Sequence, residues 1–139
     1  LEFKPEGVGT QIASPLAFLS GVLKKKAIVF LLSDFMDDNY EKTLRITAKK
    51  HDLTGIRIFD PREARLPNIG LVPMQDSETK QLRWINTQSK ITRTTYAKYY
   101  EEQVANFEAL FSKCGAGTIS CSVEESYVKK LLGYFKARL

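Results

Sequence analysis

Four carboxylates stand where this chain could do chemistry. Asp34 follows the apolar run Ala27-Ile28-Val29-Phe30-Leu31-Leu32 and the hydroxyl of Ser33, with Asp37 and Asp38 close behind. Asp60 closes a second apolar stretch, Leu53 to Phe59. Carboxylates gathered at strand ends can hold a catalytic Mg²⁺ for phosphotransfer or phosphodiester cleavage. Two observations weigh against that chemistry. The chain has no Gly-rich phosphate loop, and its one histidine, His51, is not beside Asp34. The same carboxylates also suit structural work. Asp34 can cap a helix, Asp37 and Asp38 can cap the helix that follows them, and Asp60 before Pro61 can start a turn. With only Cys114, Cys121 and His51 available, a zinc site is not expected. Cys121 alternates with apolar residues and reads as a buried thiol rather than half of a disulfide.

The elements around these residues alternate between helix and strand. Residues 1–9 read as a loop. Ser14 and Pro15 offer an N-cap and first position for a helix carrying Leu16, Leu19, Val22 and Leu23, and Lys24 to Lys26 suit its negative end. The unbroken run from Ala27 reads as a strand over 27–33 buried on both faces. A helix over 39–51 follows, with Leu44, Ile46 and Ala48 on its apolar side. His51 falls near the end of that helix, where a positive charge is favourable. Leu53 to Phe59 is a second strand. Ile69 to Met74 and Gln81 to Asn86 form a β-hairpin, with Pro73 confining its first arm to an edge. Ser89 to Lys113 is a long helix whose Tyr96, Tyr99 and Tyr100 read as packing residues. Thr118 to Val123 is a third main strand, and Glu124 to Arg138 a final amphipathic helix. This order predicts a three-layer, Rossmann-like α/β fold with an inserted β-hairpin. In such sheets function sits beyond the carboxyl ends of the strands, which is where Asp34 falls. The most hydrophobic strand, 27–33, lacks a partner for its second edge, so strands N-terminal to Leu1 or a second copy must cover it.

Composition narrows the classes. The 43% apolar content supports one packed core, and 27% charged residues is ordinary for a globular protein. The net charge of +5 comes from dispersed Lys and Arg, so nucleic acid is not an expected partner. No apolar run nears the roughly 20 residues of a membrane span, and no signal peptide opens the chain. A cytoplasmic location is the expectation.

Three segments together carry a family resemblance: Gly7-Val8-Gly9-Thr10-Gln11-Ile12, Ile28 to Phe35 with Asp37-Asp38, and Lys49 to Leu53 followed by Ile56 to Glu63 and Leu66-Pro67. The chain resembles the C-terminal half of bacterial von Willebrand factor A-like proteins of the family encoded beside MoxR-type AAA+ ATPases. That resemblance implies a partial von Willebrand factor A-type sheet over residues 1–139, lacking the first strands and their Asp-x-Ser-x-Ser loop. It also implies a metal-ion-dependent adhesion site for Mg²⁺ or Mn²⁺, with Thr10 and Asp34 as the ligands this chain would supply. The implied function is a non-enzymatic, metal-assisted protein-interaction module that partners a MoxR-type ATPase in protein assembly or maturation. A Mg²⁺-dependent phosphotransfer or phosphodiester-cleaving enzyme is the alternative.

Overall fold

The computed structural model describes residues 11–75 and 79–139. Its elements are α1 (Ala13–Val22), β1 (Ile28–Ser33), α2 (Glu41–Lys50), β2 (Asp52–Phe59), a 3₁₀ turn (Pro61–Ala64), β3 (Leu71–Gln75), β4 (Leu82–Asn86), α3 (Lys90–Lys113), β5 (Gly117–Ser122) and α4 (Tyr127–Arg138). Three parallel strands pair in the order β1-β2-β5. Ile28 lies opposite Asp52 and Ser33 opposite Arg57, while Thr54 lies opposite Gly117 and Phe59 opposite Ser122. The hairpin β3–β4 forms a separate antiparallel pair, with Pro73 opposite Trp84.

Strand alternation sends the sheet's residues to two different cores. On one face Val29 and Leu53 pack with Leu16 of α1, Leu44 of α2, and Phe107 and Phe111 of α3. Gly55 sits on this face because a side chain there would run into the rings of Phe111 and Phe107. On the other face Ile56, Ile119 and Cys121 meet Leu131 and Tyr134 of α4. The Tyr134 hydroxyl bonds Thr54 Oγ1 at 2.9 Å and lies where any side chain at Gly117 would need to be. Helices therefore flank both faces, as the alternation predicted. Cys114 and Cys121 are free thiols, and Cys121 is buried.

Several expectations are corrected. β1 is not buried on both faces: it lies at the sheet's edge, and Ile28, Phe30 and Leu32 are 70%, 41% and 58% exposed. The reason is the placement of α4, which packs over β2 and β5 and meets β1 through an edge-on contact of Phe135 with Phe30. For the same reason the apolar side of α4 is half-covered, with Tyr127, Val128 and Leu132 exposed. Helix α1 starts two residues earlier than Ser14 and Pro15 suggest. Ile12 takes the N-cap position without a side-chain cap, and the helix ends before the lysines. Asp37, Asp38 and Asn39 do not cap α2, whose N-cap position is held by Tyr40. Ser89, read as the first residue of the long helix, is instead its N-cap, its Oγ accepting the Thr92 N–H.

Candidate functional site

The turn leaving β1 is tightly specified. Ser33 Oγ accepts the Phe35 N–H at 3.1 Å, and Asp34 Oδ1 accepts the Met36 N–H at 3.0 Å. These two bonds reverse the chain at the carboxyl edge of the sheet. Phe35 and Asn39 adopt left-handed backbone, with φ of 58° and 63°. For a bulky residue such as Phe35 that conformation is strained, and it persists only where the surroundings enforce it. Here the enforcing contact is the Phe35 ring, 1% exposed, stacked on Phe107 and set edge-on to Phe111.

Asp37 does something the sequence did not announce. Its Oδ2 accepts the Ile12 N–H at 2.8 Å, tying the turn to the start of α1. The residues that follow Thr10 thus meet the residues that follow Asp34 at one end of the sheet. Thr10 itself lies outside the described residues. Beside this turn is a cavity of about 220 Å³ lined by Asp37, Asp38, Glu41, Tyr40, Gln103 and Asn106, among others. Burial, reinforced by the nearby Asp37 and Asp38 charges, pushes the Tyr40 phenol up to about 12.

The remaining candidates are engaged locally. Asp60 caps the 3₁₀ turn by accepting the Arg62 N–H, and it pairs with the Arg62 guanidinium at 2.6 Å. The side-chain bond to Arg62, aided by the backbone one, holds the Asp60 carboxyl below the usual carboxylate range. His51, 4% exposed, accepts the Ala27 N–H on Nδ1 at 3.1 Å. That bond requires the imidazole nitrogen to be unprotonated, so His51 joins the end of α2 to the start of β1 as a neutral acceptor rather than as a cation at the helix terminus. Among the described residues no group of three His, Cys, Asp or Glu side chains is assembled to hold a metal ion.

A residue that sequence reasoning passed over is Arg57. It lies in the central strand at 6% exposure, among the hydroxyls of Ser120 and Tyr100 and over the Phe59 ring. The signal was available: a single cation interrupts the apolar run Leu53 to Phe59.

The family described as "Protein of unknown function DUF58" matches residues 1–106, most of the chain, including the turn after β1 and Arg57. The chain belongs to the DUF58 family. The DUF58 match ends at Asn106 inside α3, so β5 and α4 lie beyond it. Over 135 residues, 96% of its length, this DUF58 chain is 26% identical to the uncharacterized protein MAV169 of Mycobacterium avium, covering 79% of that protein. It is 24% identical to the uncharacterized proteins Mb1516 of Mycobacterium bovis and Rv1480 of Mycobacterium tuberculosis, covering 42% of each. It therefore spans less than half of those two relatives. No solved structure matches. Among the described residues no helix is long and apolar enough to cross a membrane.

Proposed function

We propose that this DUF58 chain is part of a von Willebrand factor A-like protein-interaction module whose docking face is the carboxyl edge of the parallel sheet. The observation that carries this reading is the Asp37–Ile12 tether. It draws the start of α1 to the Asp34 turn, giving one polar rim where an α/β sheet presents its ligands. The family resemblance adds a MoxR-type AAA+ ATPase as the partner, in the assembly or maturation of other proteins.

Mg²⁺ or Mn²⁺ enters this reading through the resemblance alone. Mg²⁺ demands near-octahedral oxygen ligation. Asp34 is one carboxylate with one oxygen already accepting a backbone N–H, and no metal-holding cluster surrounds it among the described residues. Those residues do not fit a complete cation site. The missing ligands would come from Thr10 and from the longer polypeptide that Rv1480 and Mb1516 represent. The alternative, a Mg²⁺-dependent phosphotransfer or phosphodiester-cleaving enzyme, needs the strand-end carboxylates to converge, whereas Asp60 faces Arg62 and Asp37 faces Ile12.

The test is calorimetric titration of Mg²⁺ and Mn²⁺ into this chain, into a polypeptide of the length of Rv1480, and into Asp34→Ala in each. Capture of the MoxR-type ATPase is measured in parallel, with and without chelator. Cation binding to the longer protein, lost in Asp34→Ala together with ATPase capture, supports the reading. Capture that survives both Asp34→Ala and chelation rejects it. The uncovered edge of β1, with Ile28 and Leu32 exposed, is the proposed seat of self-association. Light scattering at tens of micromolar should give a dimer or larger species, and a monodisperse monomer would rule that out.

A further inference from the structure

We propose that Arg57, with the hydroxyls of Tyr100, Ser120 and Ser33, forms a subsite for a single oxyanion at the carboxyl end of the sheet. Arg57 is a buried charge. Arg57 donates from Nε to Ser120 Oγ at 3.2 Å and from Nη1 to Tyr100 OH at 3.4 Å, and its guanidinium carbon lies 3.9 Å from the centre of the Phe59 ring. Every one of these partners is neutral. The ion pairs found among the described residues lie elsewhere, and none includes Arg57. A guanidinium taken out of water needs an anion or a full set of acceptors, because its charge is not otherwise compensated.

The neighbouring groups supply neutral hydroxyls, not a counter-charge. A hydroxyl that accepts a hydrogen bond keeps its own proton to donate. Ser120 Oγ and Tyr100 OH both accept from Arg57, and Ser33 Oγ accepts the Phe35 N–H. Ser33 and Ser120 stand opposite Arg57 on the two flanking strands, so all three side chains share one face of the sheet. Tyr100 comes down on that face from α3. One cation and three hydroxyl protons are thus gathered with no carboxylate paired to Arg57 among the described residues. The complementary ligand is a group with two or more anionic oxygens, which a guanidinium recognises through its planar fork. A protein side-chain carboxylate and a phosphate share that chemistry. The subsite uses the charge of Arg57 and not the carboxylate of Asp34, so it stands apart from the cation reading.

The experiment is thermal unfolding of the 139-residue chain in chelator, titrated with inorganic phosphate or with acetate against chloride at equal ionic strength. The expected result is a saturable rise in Tm of roughly 3 °C that is absent in Arg57→Met, weakened in Tyr100→Phe, and retained in Asp34→Ala. A response to acetate assigns the subsite to a side-chain carboxylate, and a response confined to phosphate assigns it to a phosphoryl group. No saturable response to either anion overturns the proposal, as does a response that persists in Arg57→Met. Should Arg57→Met fail to fold, Tyr100→Phe decides, since an undiminished response there also overturns it.

Discussion

The ring of Phe35 stacks on that of Phe107 with centroids 4.1 Å apart and planes 20° from parallel. This contact joins the strand-end turn to the longest helix and holds Phe35 in a left-handed backbone that its side chain would otherwise disfavour. Phe35→Ala removes the ring and leaves the strained φ, and should destabilise the fold by about 3–5 kcal/mol. Phe107→Ala should behave similarly, and a double-mutant cycle in urea should show coupling of roughly 0.5–1.5 kcal/mol. Additive losses would mean that the two rings act independently.

Asp37 and Asp34 should separate cleanly. Asp37→Ala removes the acceptor of the Ile12 N–H and should cost about 1–3 kcal/mol. It should also raise hydrogen exchange at the Ile12 amide and hasten proteolysis near the start of α1. In Asp34→Ala the Ile12 amide should stay protected, because Asp34 bonds only within its own turn among the described residues. Equal exchange at Ile12 in wild type and Asp37→Ala would remove the tether from the account.

Gly55 tests the fit of α3 on the sheet. A β-carbon there would overlap the Phe111 ring and come within 3.1 Å of Phe107 Cε2. Gly55→Ala should therefore destabilise by about 1–3 kcal/mol, the usual result of overpacking. The paired variant Gly55→Ala with Phe111→Leu should recover part of that loss.

Tyr40 gives the fold an alkaline weakness. Its phenol is held at about 12 in the folded protein against an ordinary value of 10.0, chiefly by burial and then by Asp37 and Asp38. Below pH 10 both folded and unfolded chains keep the proton, and the contribution is complete. Between pH 10 and 12 the unfolded chain releases its proton first, so stability falls as pH rises through that window. Tyr40→Phe should flatten this part of the stability profile, and a late-forming tyrosinate seen at 295 nm in wild type should be lost in that variant.

Local signals explain what could be read from the chain directly. The strand before Ser33 and the hairpin carrying Pro73 each depend on residues within a few positions of one another, and each appears in the structure. Asp60 as a turn starter is of the same kind. Ser14 and Pro15 misled because packing of Ile12 and Leu16 set the start of α1 against local capping preference. Asp37 could not be assigned because its partner lies 25 residues away, and the surroundings of Arg57 come from 43 and 63 residues away. The half-covered side of α4 was equally hidden. Its amphipathic pattern was visible, but where along the sheet it would rest was not.

The central position of β2 also sets an order of events. β1 pairs with it across 24 residues, whereas β5 does so across 63. Closing the shorter loop costs less entropy, so the β1-α2-β2 unit should assemble first and β5 with α4 should join late. Until residue 117 has left the ribosome, the edge of β2 that will receive β5 stays unpaired, together with the apolar side of Ile56. A nascent chain paused in that interval is the form most in need of a chaperone.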